Sequence, residues 1–161
     1  MVSCNLPYLR SASGIFKIIE IVSVSVSLGL FRGVPLTFGA PHDTSPKVGT
    51  DADFFAGGVM VAALLISPLL LLLYTLGIIR VQQTILELAI SFLLFSFLFI
   101  SGSMGLAFWH SPSSEWSSYK AEGISMSVFL YVAAVAYTLD TVLNAKNYCC
   151  GPKNIPNEST A

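Results

Sequence analysis

Charged residues are scarce in this chain: they make up 11% of its 161 residues, about half of the fraction that is usual in a soluble domain. The net charge is −1, so there is no excess of basic residues to displace the counterions of a nucleic acid. Hydrophobic residues reach 54%, and the mean hydropathy is +0.74. The composition therefore argues against a soluble domain and a nucleic-acid-binding protein, and favours a membrane protein.

Cysteines are few, and none lies in the middle of the chain. Cys4 is near the N-terminus, and Cys149 and Cys150 are near the other end, which excludes an outer domain held by disulfides. The H-E-x-x-H, G-x-S-x-G and P-loop motifs are also missing. His42 and His110 stand at unrelated positions and are expected to be solvated loop residues. We therefore expect no enzyme, no cofactor and no metal site.

Four long apolar runs fill more than half of the chain. Each is close to the roughly 20 residues that an α-helix needs to cross ~30 Å of hydrocarbon. We predict membrane spans at about residues 13–31, 54–79, 84–109 and 123–143. Residues 1–12 and 144–161 then form two tails. The predicted fold class is all-α, an integral membrane bundle of four transmembrane helices in a single domain.

The distribution of basic residues predicts the orientation of the spans. Four spans place both termini on one side of the membrane. That side would hold Arg10, Lys17, Arg80, Lys146 and Lys153, and the other side would hold Arg32, Lys47 and Lys120. Because Lys and Arg collect on the cytoplasmic side, both tails are expected to be cytoplasmic. Cys149 and Cys150 would then be candidate sites of S-palmitoylation, with two unmodified thiols as the alternative.

Three acidic residues lie within or at the ends of the spans: Glu20, Glu87 and Asp140. Lys17 precedes Glu20 by one helical turn, so this pair can neutralise itself locally. Arg80 and Lys146 are candidate partners for the other two acids. A proton or cation site is one interpretation of the group. We favour a polar clasp between helix ends, because a carrier normally places its site near the bilayer midplane.

Small residues recur four positions apart in every span. The pairs are Ser23 and Ser27, Ser25 and Gly29, Gly58 and Ala62, Ser101 and Gly105, and Gly123 and Ser127. This spacing lets helix backbones approach closely in a membrane. We expect packing within the bundle, with packing between protomers as the alternative. One face of span three, which is expected to point inward, carries Glu87, Ser91, Leu98, Gly102 and Gly105.

The arrangement of polar residues at the ends of the spans resembles that of MARVEL-type four-span proteins. The resemblance begins at Ser13–Glu20 (S-G-I-F-K-I-I-E), where a small, a basic and an acidic residue enter span one. It includes Tyr137–Thr141 (Y-T-L-D-T) at the end of span four and covers residues 11–147. Loops without cysteine separate the chain from tetraspanins, claudins and connexins. Within the group, the Asp51–Asp53 entry into span two and the end of span four are similar to the snakeskin-type proteins of insect septate junctions.

The resemblance implies a structural role in membranes. MARVEL-type proteins organise junction and vesicle membranes by helix packing and lateral assembly, without catalysis. We therefore expect a non-enzymatic protein of the plasma membrane at cell junctions. Its expected partners are the lipid bilayer and other membrane proteins, with self-association included and nucleic acid excluded. Two alternatives stay open: a trafficking adaptor for other membrane proteins, and a small ion channel or proton-coupled carrier.

Overall fold

The computed structural model describes residues 11–34, 51–76, 85–110 and 118–150, with side chains up to residue 146. In these ranges the chain forms α-helices and no strand. The helices are α1 (Ala12–Gly33), α2 (Asp51–Thr75), α3 (Ile85–His110) and α4 (Lys120–Cys150). All four are long and apolar enough to cross a membrane. The prediction of an all-α fold with four spans is confirmed.

The helix ends follow from local capping chemistry. Ser11 caps α1, because its hydroxyl accepts a hydrogen bond of 3.2 Å from the backbone N–H of Gly14. Asp51 and Asp53 lie in the first turn of α2, where the helix dipole favours negative charge. Pro68 lies inside α2 without ending it, as happens when neighbouring groups satisfy the freed backbone in a membrane helix.

The helix α4 is longer than the apolar run from which span four was predicted. That run ends near residue 143, and the helix continues to Cys150. Asn144 explains the extension, because its side chain is buried and bonded to two acidic residues of the bundle. A polar residue with buried partners continues the helix beyond the hydrophobic stretch from which the boundary was predicted.

The helices form an antiparallel bundle in which each packs against two neighbours, in the order α2, α1, α4 and α3 around the ring. Ser13 near the start of α1 bonds Asp140 near the end of α4. Ser27, further along α1, donates to the backbone oxygen of Met126 near the start of α4. The interfaces of α4 with α1 and α3 are the most extensive, and that between α2 and α3 is the smallest.

An apolar core fills the middle of the bundle. Its fully buried side chains include Val24, Met60, Leu98, Met126 and Leu130. Gly102 brings α3 close to α4, since a Cβ atom at this position would lie 3.4 Å from the Cβ of Leu130. The outward faces carry exposed apolar side chains, among them Leu65, Phe92 and Val135. Such faces suit contact with lipid.

Trp109 and Gly123 close the bundle at the end of α3 and the start of α4. The indole of Trp109 is fully buried and lies directly on Gly123, where a Cβ atom would overlap the ring. Any larger residue at position 123 would therefore force the two helices apart or displace the ring.

Candidate functional site: a buried polar cluster

Polar side chains from all four helices meet near the end of the bundle where α1 begins and α4 ends. We call this group the polar cluster. Its members are Ser13, Lys17, Glu20, Ser67, Tyr74, Glu87, Ser91, Tyr137, Asp140 and Asn144, all of them buried. Polar and charged groups in hydrocarbon are costly unless they are paired or hydrogen-bonded. The cluster therefore has to satisfy its groups internally.

Lys17 is the centre of the polar cluster. Its Nζ atom lies 2.8 Å from Oδ2 of Asp140 and 3.1 Å from Oε2 of Glu20, and all three side chains are 0% exposed. The ammonium group also lies 5.2 Å from the ring centroid of Tyr137, within the range of a cation–π contact. One positive charge thus joins two carboxyl groups and links α1 to α4.

Hydroxyl groups extend the polar cluster from Lys17 to α2. Ser13 donates a hydrogen bond of 2.6 Å from Oγ to Oδ1 of Asp140. The hydroxyl of Ser67 donates to Oε2 of Glu20 at 3.1 Å and is also hydrogen-bonded to the hydroxyl of Tyr137. Ser67 is therefore the point at which α2 joins the α1–α4 pair.

Glu87 brings α3 into the polar cluster, and its two oxygens differ. Oε1 accepts from the hydroxyl of Tyr74 and from Nδ2 of Asn144 at 3.3 Å. The same Nδ2 lies 3.5 Å from Oδ2 of Asp140. Oε2 of Glu87 and Oγ of Ser91 are both buried and have no hydrogen-bond partner among the described residues. The cluster is thus complete around Lys17 and incomplete at α3.

The polar cluster can hold the helices together. Hydrogen bonds between membrane helices contribute on average ~0.6 kcal/mol each, whereas breaking one partner of a buried ion pair costs roughly 3–5 kcal/mol. The Lys17–Asp140 ion pair is therefore the strongest single link between α1 and α4. Because the remaining hydrogen bonds reach α2 and α3, every helix is attached to this pair.

The structure brings together most of the ionisable residues that the sequence singled out. Lys17, Glu20, Glu87 and Asp140 all belong to the polar cluster. Lys146 does not, because its side chain is exposed and Asp140 pairs with Lys17 instead. Six residues separate Lys146 from Asp140, which at ~3.6 residues per turn puts the lysine on a different face of α4. Arg80, the expected partner of Glu87, lies outside the described residues.

Sequence reasoning missed the neutral members of the polar cluster as functional residues. These are Ser13, Ser67, Tyr74, Tyr137 and Asn144, while Ser91 was assigned only to the inward face of α3. Their spacing was a usable signal. Ser67 and Tyr74 are seven residues apart, and Asp140 lies three residues after Tyr137 and four before Asn144. Such intervals put polar residues on one helix face.

The small-residue pairs fall into two groups in the structure. Six members are buried in the bundle: Ser23, Ser27, Ser101, Gly105, Gly123 and Ser127. Ser25, Gly29 and Gly58 are exposed, and Ala62 is half-buried. A Cβ atom at Gly58 would meet nothing within 4 Å. The α2 pair therefore does not bring α2 close to another helix of the bundle.

Gly58 and Ala62 instead line an apolar groove between α2 and α3. The groove has a volume of about 490 Å³. Phe54, Phe55 and Phe97 form part of its wall. Phe55 and Phe97 pack edge to face across the two helices, with ring centroids 5.7 Å apart. Phe54 is 71% exposed, so the groove opens to the outer face of the bundle. We call it the α2–α3 groove.

The fold and the apolar outer faces define the class of this protein: it is a multi-pass membrane protein built as a four-helix bundle in contact with the lipid bilayer. Comparison with models of known families, with curated proteins and with solved structures finds no match to the chain. The candidate acylation sites, Cys149 and Cys150, end α4, and their side chains lie outside the described part of the chain.

Proposed function

We propose that this protein is a non-enzymatic structural component of membranes, which assembles laterally with copies of itself to organise cell-junction or vesicle membranes. The α2–α3 groove is the observation that carries the proposal. It combines the small pair of Gly58 and Ala62 with an apolar wall on the outer face of the bundle. Small residues at this spacing let helices approach closely in lipid, and here no helix of the same bundle fills the space.

The polar cluster is a second observation that supports the same proposal. Ionisable side chains of the spans are turned inward and bonded to one another, as with Lys17, Glu20 and Asp140. The outer faces of the spans are left apolar. A bundle of this kind keeps its shape in lipid and presents an apolar surface to its neighbours. That combination suits a protein which acts by lateral packing.

Gly58→Val tests the assembly. The valine side chain would occupy the α2–α3 groove, so Förster transfer between differently labelled copies in vesicles should fall toward that of an unrelated membrane protein. Gly29→Val is the matched control, because Gly29 in α1 is also exposed and a Cβ there meets nothing within 4 Å. The control should keep wild-type transfer. Equal transfer in wild type and both variants would contradict assembly through the groove.

Localisation of a tagged full-length chain tests the cellular part of the proposal. We expect enrichment at lateral cell contacts, with both tails accessible to probes only after the plasma membrane is permeabilised. A diffuse endomembrane distribution would instead favour the trafficking adaptor. Ion or proton flux in proteoliposomes that is lost in Glu87→Gln would favour the carrier and displace the structural role.

A further inference from the structure

The ionisable groups of the polar cluster do not balance. In the described part of the chain the cluster contains one ammonium group, that of Lys17, and the carboxyl groups of Glu20, Glu87 and Asp140, each at most 3% exposed. A buried carboxylate without a compensating positive charge is strongly unfavourable in an apolar environment. One ammonium group balances one carboxylate, so among the described residues two of the three acids need a further positive charge, such as a proton.

Glu87 is the acid that has no positive charge beside it among the described residues. Asp140 and Glu20 share the ammonium group of Lys17 and also accept from the hydroxyls of Ser13 and Ser67. The described donors to Glu87 are neutral, and both act on the same oxygen. One of the two missing positive charges therefore belongs beside Glu87.

We propose that Glu87 is a proton-binding site, and that its carboxyl group holds a proton on Oε2 inside the bundle. A protonated carboxyl group has one oxygen that accepts and one O–H that donates. The two oxygens of Glu87 are divided in this way, since Oε1 accepts two hydrogen bonds and Oε2 accepts none from the described residues.

Ser91 is a second buried polar group on this face of α3. Its hydroxyl is 1% exposed and lacks a hydrogen-bond partner among the described residues, Oε2 of Glu87 included. Ser96, Ser101 and Ser103 of the same helix each donate to a carbonyl four residues earlier. The described residues therefore offer no donor to a charged Oε2, not even the hydroxyl one turn along the same helix, and this favours the neutral carboxyl group.

A metal ion fits this position less well than a proton. Glu87 and Ser91 offer two unpaired oxygens, whereas Mg²⁺ and Ca²⁺ take six or more oxygen ligands. The described residues contain no group of three or more His, Cys, Asp or Glu that could hold a metal. A proton needs only one oxygen to bind and a second to accept.

The groups facing Glu87 come from each neighbouring helix. Tyr74 of α2 and Asn144 of α4 donate to it. Asp140 of α4 accepts from the same Nδ2 of Asn144 and is paired with Lys17 of α1. Because Glu87 lies in the first turn of α3, the proton would exchange with solvent at the end of the bundle where α1 begins and α4 ends.

Infrared difference spectroscopy of the full chain in lipid nanodiscs tests the proposal. We expect the carbonyl band of a protonated carboxyl group at neutral pH, shifted in D₂O and clearly weaker in Glu87→Gln. Glu122→Gln is the matched control, because Glu122 is exposed in the first turn of α4 at the opposite end, and the band should keep its wild-type intensity.

Three results would overturn the proposal. The first is the absence of the band in wild type, or an unchanged band intensity in Glu87→Gln. The second is a band that appears only in Arg80→Gln, which would identify Arg80 as the counter-charge. The third is failure of Glu87→Gln to fold, because glutamine imitates the neutral carboxyl group in size and charge. The proposal is independent of assembly through the α2–α3 groove.

Discussion

The two ends of the bundle hold the same helices together by different means. At the end where α1 begins and α4 ends, Lys17, Glu20 and Asp140 form buried ion pairs, and hydroxyl groups connect them to the other helices. At the opposite end, α3 and α4 meet through the indole of Trp109 on the backbone of Gly123. The first end depends on buried ion pairs, and the second depends mainly on the close fit between an indole ring and a glycine.

The difference between the two ends follows from the lipid that surrounds the bundle. Between apolar helices in lipid there is no hydrophobic driving force, so association relies on close packing and on interhelical polar contacts. Each kind of contact suits the end of the bundle at which it occurs. Ionisable groups cost less near the end of a span than at its middle, and close packing costs nothing in desolvation. Changes at the two ends should therefore differ both in size and in the variant that rescues them.

Removal of the cation should give the largest effect. Lys17→Met leaves Glu20 and Asp140 buried without their shared charge, and we expect the free energy of unfolding in bicelles to fall by about 3–5 kcal/mol. Lys146→Met is the control, because Lys146 is exposed, and it should change stability little.

Neutralisation of the acids sharpens this prediction. The triple variant Lys17→Met, Glu20→Gln, Asp140→Asn removes the unpaired charges along with the cation. It should recover much of the stability that the single change loses. If the triple variant is less stable than Lys17→Met alone, the loss at this end comes from packing and the comparison between the two ends fails.

A methyl group at the opposite end should give an intermediate effect. Gly123→Ala places a Cβ in the space of the Trp109 indole, and overpacking of this kind typically costs about 1–3 kcal/mol. Thermal unfolding in detergent would measure it, with Gly29→Ala as the control in open space. Adding Trp109→Leu to Gly123→Ala should recover part of the lost stability. If the effects of the two substitutions on stability simply add, direct contact between residues 109 and 123 is contradicted.

The parts of this structure that sequence reasoning predicted are those that depend on local sequence. The spans follow from length and hydropathy, and the Lys17–Glu20 pair follows from one turn of helix. The pairing of Lys17 with Asp140 joins the first helix to the last, and no local pattern specifies it. Asp140 was therefore assigned to Lys146, its neighbour in sequence.

The small-residue pairs show a second limit. Gly58 and Ala62 have the same spacing as Ser101 and Gly105, yet the first pair faces the α2–α3 groove and the second is buried. The spans are apolar on nearly all sides, so the hydrophobic pattern contains little information about which face turns inward. Polar residues at helical intervals, such as Ser67 and Tyr74, were the better guide.

The smallest expected effect concerns a single hydrogen bond between α1 and α4. Ser27 donates to the backbone oxygen of Met126 at 3.3 Å, and we expect Ser27→Ala to cost about 0.6 kcal/mol, the average for such bonds in membrane helices. Ser25→Ala is the control, because Ser25 is exposed and bonds within its own helix. Chemical unfolding would measure the free energy of unfolding of both variants and of the wild type. A loss of equal size in both would mean that the interhelical bond adds nothing.

The ion pair between α1 and α4 also constrains how the protein is made. The first helix enters the membrane with a lysine and a glutamate one turn apart, a pair that can neutralise itself while the rest of the chain is synthesised. Asp140 is synthesised after Lys17, Glu20 and Glu87, and it then forms the second ion pair of Lys17. The bundle is therefore closed by its final segment, and a ribosome product that stops before α4 would hold Lys17 and Glu20 in the bilayer without the partner that draws the helices together.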